Sequence, residues 1–208
     1  MTLWAIVPVK PLKRGKSRLS SILSVAERTT LNQSMLVNTL KTLKSIHEID
    51  TVLVVSRDPA ALAVARDFDA KTVLEDGNPE LNTALRRAAM VAKAYYANQI
   101  LVMPADLPLV KANHIKDFLA LSGEAPELII APDRRKDGTN ALFINPADLI
   151  DFYYGTGSFG KHLRAAEIKG AAIQIVESEE LGLDLDIPED LKILTEIEER
   201  VKTGTAAY

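Results

Sequence analysis

Residues 3–20 read LWAIVPVKPLKRGKSRLS: a seven-residue apolar run followed by a loop that carries Lys10, Lys13, Arg14, Lys16 and Arg18. The apolar run is continuous rather than alternating, as in a strand buried on both faces of a parallel sheet. The loop invites comparison with the phosphate-binding pattern G-x-x-x-x-G-K-[ST], whose glycine amides cradle phosphates. Here the first glycine position is Lys10, and Pro11 beside it has no backbone N–H to offer. The glycine-cradle motif is therefore excluded. The idea of an anion site is kept: a buried strand delivers a cluster of cations to its carboxyl end. For Lys13 and Arg14 an ordinary solvated loop is the simpler reading.

Working outward, similar β-rich runs recur at 51–55, 71–74, 99–103, 127–131, 141–145 and 171–176. Most are separated by helical patterns. Ser24 and Glu27 make a capping-box signal, with Leu36, Leu40 and Leu43 at helical spacing after it. Asp58-Pro59 opens a second helix, Asn82 is the expected cap of a third running to about Ala97, and Asn113 that of a fourth ending near Ser122-Gly123. A last helix is expected from Pro188 to Val201, with 203–208 as a loose tail. Strands alternating with helices predict an α/β fold, a mostly parallel mixed sheet flanked by helices, over a single domain spanning 1–208. In such sheets ligands sit beyond the carboxyl ends of strands, so the loops after residues 9, 103 and 145 are where chemistry is expected.

Composition narrows the classes of function. The chain has 208 residues, a formal net charge of -3 and no cysteine, so disulfides, thiolate metal sites and thiol nucleophiles are excluded. Its three histidines are too scattered for an obvious zinc site. A sequence pI near 5.7 with one basic loop argues against a nucleic-acid surface. No apolar stretch reads as a membrane span or a cleavable leader, and the expected location is the cytoplasm.

Two acidic segments stand opposite that basic loop. MPADLPL (103–109) puts Asp106 beyond the end of an apolar strand, between two prolines. GLDLDIPED (182–190) puts Asp184 and Asp186 two apart, on one face if the segment is extended. Like charges so close raise each other's pKa unless a cation intervenes, and Mg²⁺ binds through a few carboxylates plus substrate phosphates. The structural alternative makes Asp186 a helix N-cap with Glu189 at N3, and Asp106 a turn residue. Two small-residue loops, DGTNALFI (137–144) and YYGTGSFGKHL (153–163), predict a second anion site. In the latter, Ser158 is the expected cap of a helix starting at Phe159, whose free N–H groups would meet the anion. His162 is either a helper at that site or an ordinary surface histidine.

In order and spacing, VPVKPLKRGKSRL (7–19), LNTAL (81–85), MPADLPL, DGTNALF, YGTGSFGKH (154–162) and GLDLDIPEDL (182–191) resemble the 2-phospho-L-lactate guanylyltransferase family, which includes the phosphoenolpyruvate guanylyltransferases. The resemblance covers essentially the whole chain. It implies a Rossmann-like nucleotidyltransferase fold of the nucleotide-diphospho-sugar transferase type. It also implies condensation of GTP with 2-phospho-L-lactate, phosphoenolpyruvate or a related three-carbon phosphate, with release of pyrophosphate, in biosynthesis of the deazaflavin coenzyme F-420.

Carried over residue by residue, the resemblance implies that Asp106, Asp184 and Asp186 hold Mg²⁺ and that Lys10, Lys16 and Arg18 face the triphosphate. Lys16, Asp106 and Asp186 would be catalytic. Asn82 and the N–H groups near Ala84 would contact the base, and Thr139, Gly155 and Ser158 the three-carbon acid. Handover of the product to the downstream phospholactate transferase is a further implication. The chain departs from the family pattern at Gly15, where alanine is usual, and at Glu80, where glycine is usual and which bears on nucleotide preference. The competing readings are another Mg-dependent nucleotidyltransferase acting on a phosphoacid such as 3-phosphoglycerate, a nucleotide-sugar glycosyltransferase, and a non-catalytic nucleotide or phosphoacid sensor.

Overall fold

The structure, a computed structural model, describes residues 2–77 and 80–203. Among the described residues seven strands form one sheet: β1 (Leu3–Val9), β2 (Thr51–Ser56), β3 (Lys71–Leu74), β4 (Gln99–Val102), β5 (Glu127–Pro132), β6 (Thr139–Asn145) and β7 (Ala172–Ile175), in the spatial order β3-β2-β1-β4-β6-β5-β7. β1 lies at the interior of this order, paired in parallel with β2 and with β4. That position explains its unbroken apolar run. Leu3, Ala5 and Val7 join the core on one side of the sheet, while Trp4 and Ile6 join the core on the other.

Helices cover both faces. Leu36, Leu40 and Leu43 of α1 (Val25–Lys44) pack on the first face with α2 (Pro59–Asp67) and α4 (Ala112–Leu119). α3 (Leu81–Ala94) packs on the second with α5 (Ser158–Ile168). The inward stripe of α3 is Ala84, Leu85, Ala88, Ala89 and Ala92, whose small side chains let the helix axis come close to the sheet. α6 (Glu179–Gly182) and α7 (Pro188–Thr203) complete the chain. The helix expected to end at Val201 runs on to Thr203, and the rest of the expected tail, 204–208, lies outside the described residues. Among the described residues no helix is long and apolar enough to cross a membrane.

Several helix starts differ from expectation. The capping box at Ser24 and the cap at Asp58 form as the sequence predicts. At α3 the cap is Glu80 rather than Asn82: its backbone is extended, and its carboxylate accepts from the N–H groups of Asn82 and Thr83. α4 starts from Lys111 rather than Asn113, with the ring Nδ1 of His114 accepting the Lys111 N–H at 3.2 Å. α5 starts at Ser158, with Gly157 as its cap at φ 68°. The third loop expected to carry chemistry is also misplaced. β6 runs antiparallel to β4 and β5, so its carboxyl end points away from theirs. Ala147, just past that end, donates to the Asn98 carbonyl at the start of β4 (2.8 Å). It is the amino end of β6, with Thr139 and Asn140, that joins the carboxyl ends of β1 and β4.

Candidate active site

The basic loop is built from below by α1 and α2. The Leu12 N–H donates to Asp58 (2.8 Å), Asn32 Nδ2 donates to the Leu12 carbonyl (2.7 Å), and the N–H groups of Arg14 and Gly15 donate to the Pro11 carbonyl. A methyl group on Gly15 would lie 2.6 Å from Asn32 Nδ2, so glycine here is what lets the Asn32 amide sit under the loop. Lys16 then adopts the left-handed conformation (φ 57°, ψ 35°), which costs a non-glycine residue about 1–3 kcal/mol and persists only where its surroundings hold it. The side chain supplies that hold. Lys16 Nζ donates to Asp106 Oδ2 at 2.6 Å and to Asp186 Oδ1 at 3.0 Å.

The carboxylates are brought together by backbone bonds that join distant segments. The Leu185 N–H donates to the Asp106 carbonyl (3.0 Å), which ties the two acidic stretches side by side. Asp190 Oδ2 accepts from the N–H groups of both Asp186 and Ile187 at 2.8 Å. Asp190, in the first turn of α7, thus reaches back to the backbone ahead of the helix, and the Asp186 carboxylate bonds Lys16. Asp190 Oδ1 takes Arg134 Nη2 at 2.8 Å, and Asn140 Nδ2 holds the Leu181 and Gly182 carbonyls at 2.8 and 3.1 Å.

Charge around this cluster is unbalanced. Burial pushes the Asp186 carboxyl up, but Lys16, with Lys10 and Arg18 behind it, more than offsets this and holds it below its usual range. Lys16 is lowered by burial and raised further by its two carboxylates, so it stays charged. Among the described residues Asp184 has no such partner: burial, then the charges of Asp106 and Asp186, push it up to about 6. Among the described residues no three acidic or histidine side chains stand together at metal-ligating spacing. The ammonium of Lys16 instead sits between two of the three aspartates.

Sequence reasoning gave no role to Asp190, which is 4% exposed. Asp190→Ala should leave two backbone N–H groups unpaired and Arg134 with Glu189 in place of two carboxylates, at a cost of about 2–4 kcal/mol. Thermal melts should show that loss, and turnover should fall more than stability predicts because the Asp186 backbone loses its hold. Unchanged turnover in the folded variant would make Asp190 a stability residue alone.

The opposite wall comes from β6 and α5. Thr139 and Ser158 line the cavity together with Gly155, which has φ 116°. The N–H groups of Gly157, Ser158 and Phe159 are already taken by Asp137 Oδ1, the Gly155 carbonyl and the Asp137 carbonyl. The expected row of free helix N–H groups is therefore absent at these three residues. The Ser158 hydroxyl turns to Thr139 Oγ1 (3.2 Å) rather than capping its helix. His162 is wholly buried, not on the surface, and its Nδ1 lies 3.0 Å from Thr139 Oγ1.

Asp106, Asp184, Asp186, Lys10, Lys16, Thr139, Gly155, Ser158 and Ala84 all line one cavity of about 460 Å³. Arg18 does not line it and acts on Asp186 through its charge. Asn82 does not line it either: Nδ2 donates to the Tyr154 carbonyl (3.1 Å) and Oδ1 accepts the Tyr154 N–H (2.7 Å). Ala84 offers only its methyl, since its N–H is bonded to the Glu80 carbonyl at 3.0 Å. What Asn82 positions is the Tyr154–Gly155 turn. Glu80, expected to bear on nucleotide preference, lines the same cavity, as does Glu75, which the sequence did not single out.

A mostly parallel sheet with one reversed strand and a cavity at the carboxyl ends is the architecture of the nucleotidyltransferase fold. Solved structures agree on the fold. A nucleotide-diphospho-sugar transferase from Desulfovibrio desulfuricans G20, described as putative in its structure, matches with TM-score 0.75 at 14% identity over 93% of this chain and 87% of its own. A cytidylyltransferase from Leptospira borgpetersenii matches with TM-score 0.65 at 13% identity over 100% and 99%.

The chain belongs to the family described as guanylyl transferase, CofC-like, which matches residues 3–201. A phosphoenolpyruvate guanylyltransferase from Rubrobacter xylanophilus is 39% identical over 92% of this chain and 92% of its own. A 2-phospho-L-lactate guanylyltransferase from Methanocaldococcus vulcanius is 42% identical over 89% of this chain and 81% of its own.

Proposed function

We propose that this protein, read as one nucleotidyltransferase domain acting in the cytoplasm, condenses GTP with phosphoenolpyruvate or 2-phospho-L-lactate. It releases pyrophosphate and makes the activated intermediate of coenzyme F-420 biosynthesis. The observation that carries this reading is the shared cavity, with Lys10, Lys16 and the three aspartates on one wall and the Thr139 and Ser158 hydroxyls on the other. Relatives bearing both substrate names support the pair of acceptors.

The attacking group is a phosphate oxygen of the acceptor, whose second pKa of about 6 leaves it ionised at neutral pH. No general base is needed, which suits a cavity whose nearest histidine is already bonded on both nitrogens. Phosphoryl-type transfer depends on positioning and charge neutralisation, and Lys10 and Lys16 supply positive charge for the departing pyrophosphate. Asp106, Asp184 and Asp186 are the residues that would hold Mg²⁺. As placed they do not stand at metal-ligating spacing, yet their chemistry suits a hard cation: Asp106 and Asp186 share the Lys16 ammonium, and Asp184, raised first by burial and then by the charges of Asp106 and Asp186, is bonded to no cation among the described residues. When bound, the ion neutralises phosphate charge as a Lewis acid. Handover of the product to the downstream transferase belongs to the same reading.

Purified protein with Mg²⁺ and GTP should release pyrophosphate with one of phosphoenolpyruvate, 2-phospho-L-lactate or 3-phosphoglycerate, and not when ATP or CTP replaces GTP. No release with any pair, despite GTP binding, would overturn the assignment in favour of a sensor.

A pH dependence arises from Asp184. Its carboxyl is raised from 3.8 to about 6 in the fold, so the metal-free protein loses stability as pH climbs between those values. A divalent cation competes with that proton, so its affinity should rise from about pH 5 to about pH 7 and then level off. Calorimetric titration with Mg²⁺ or Mn²⁺ across that range tests this. A flat affinity would remove Asp184 from the ion's surroundings.

A further inference from the structure

We infer that His162 is a positioning residue that makes the Thr139 hydroxyl a dedicated hydrogen-bond donor to an anionic oxygen of the three-carbon acid. The inference rests on the preceding reading of this wall as the acid's site, and deepens it.

The Tyr153 N–H donates to His162 Nε2 at 3.0 Å, so that nitrogen carries a lone pair and cannot carry the ring proton of a neutral imidazole. The proton is therefore on Nδ1, 3.0 Å from Thr139 Oγ1, and donates to it. Ser158 Oγ donates to the same oxygen at 3.2 Å. A threonine hydroxyl has two acceptor lone pairs and one hydrogen. Both lone pairs are occupied, and the hydrogen is left for whatever enters the cavity that Thr139 lines. Tyr154 packs edge-on against the imidazole with ring centroids 5.1 Å apart, which keeps the ring from turning.

The ring stays neutral for two reasons. Burial pushes His162 down to about 4, and the neighbouring Lys161 lowers it further. A protonated ring would have to give up the Tyr153 bond, because Nε2 would then be a donor facing a donor. The buried Thr139 hydrogen thus selects for an acceptor atom. A phosphate or carboxylate oxygen satisfies it, and an apolar or donor group in its place leaves it unpaired.

The test has two parts. The first needs no turnover: nitrogen-15 shifts of His162 in ligand-free protein near pH 7 should show the Nδ1–H tautomer. An Nε2–H tautomer or an imidazolium would overturn the inference whatever the enzyme does. The second is a double-mutant cycle on the Michaelis constant for the accepted acid. His162→Leu should raise it by about 10- to 100-fold, with the Michaelis constant for GTP nearly unchanged. His162→Asn, which keeps a donor near the Nδ1 position, should recover part of the loss and remains informative if the leucine variant fails to fold. In a Thr139→Val background either change should have little further effect. Additive losses, or a loss falling equally on GTP, would overturn the positioning role. If the wild-type protein accepts no acid, the functional reading fails, and the tautomer still decides the His162 geometry.

Discussion

Asp186→Asn and Asp106→Asn should each lower pyrophosphate-forming turnover by about 10²–10⁴-fold while leaving the fold intact. The amide has the shape of the carboxylate, and its oxygen can still accept from Lys16, which lies 3.0 Å from Asp186 and 2.6 Å from Asp106. The scaffold does not depend on either charge. Asp190 bonds the Asp186 backbone rather than its side chain, and Leu185 bonds the Asp106 carbonyl. What is lost is one negative charge at the place where cation and phosphate must be balanced. Turnover measured beside a thermal melt separates the two effects. Full activity in Asp186→Asn would take that residue out of the charge machinery.

Lys16→Met should do more than weaken nucleotide binding. The side chain is 6% exposed and is the cation bonded to both Asp106 and Asp186. Without it, two carboxylates face each other beside an already raised Asp184. Breaking a fully buried pair costs about 3–5 kcal/mol, and because Asp106 and Asp186 remain 27% and 37% exposed the expected loss here is smaller, about 1–3 kcal/mol. The left-handed backbone at Lys16 would also lose the side-chain bonds that hold it. Turnover should fall by about 10²-fold or more. Added Mg²⁺ should raise the melting temperature of the variant more than that of the wild type, since the ion would replace the missing positive charge. An unchanged melting temperature, turnover and GTP affinity would return this loop to a solvated surface.

Features set by neighbours in the chain were readable from residue types alone. The strand runs come from unbroken apolar stretches, and all seven form near the expected positions. Ser24 and Asp58 cap their helices because a short side chain reaches a backbone N–H two or three residues on. The same rule points to Asn82 for α3, and there it fails. Glu80 has the longer side chain, and its extended backbone swings the carboxylate over the helix start. With its own helix already capped, the Asn82 amide is available to a turn 72 residues away.

Features set by long-range packing could not be read that way. Residue type and spacing marked the basic loop after β1 and the carboxylates of Asp106, Asp184 and Asp186 as opposite charges that could share one site. That the Lys16 ammonium lies between Asp106 and Asp186 depends on contacts across 90 and 170 residues of chain. Strand direction is likewise not local: an apolar run reads the same either way, so the reversal of β6 and the arrival of Thr139 at the site come only from sheet pairing. His162 shows the difference most plainly. Its letter in SFGKH fits a surface helix position, and its role is decided by the three groups that pack around it: the Tyr153 N–H, Thr139 and the Tyr154 ring. Apolar pattern and capping chemistry act over a few residues and so determine elements, whereas hydrogen-bond partners of buried polar groups are chosen only once those elements meet.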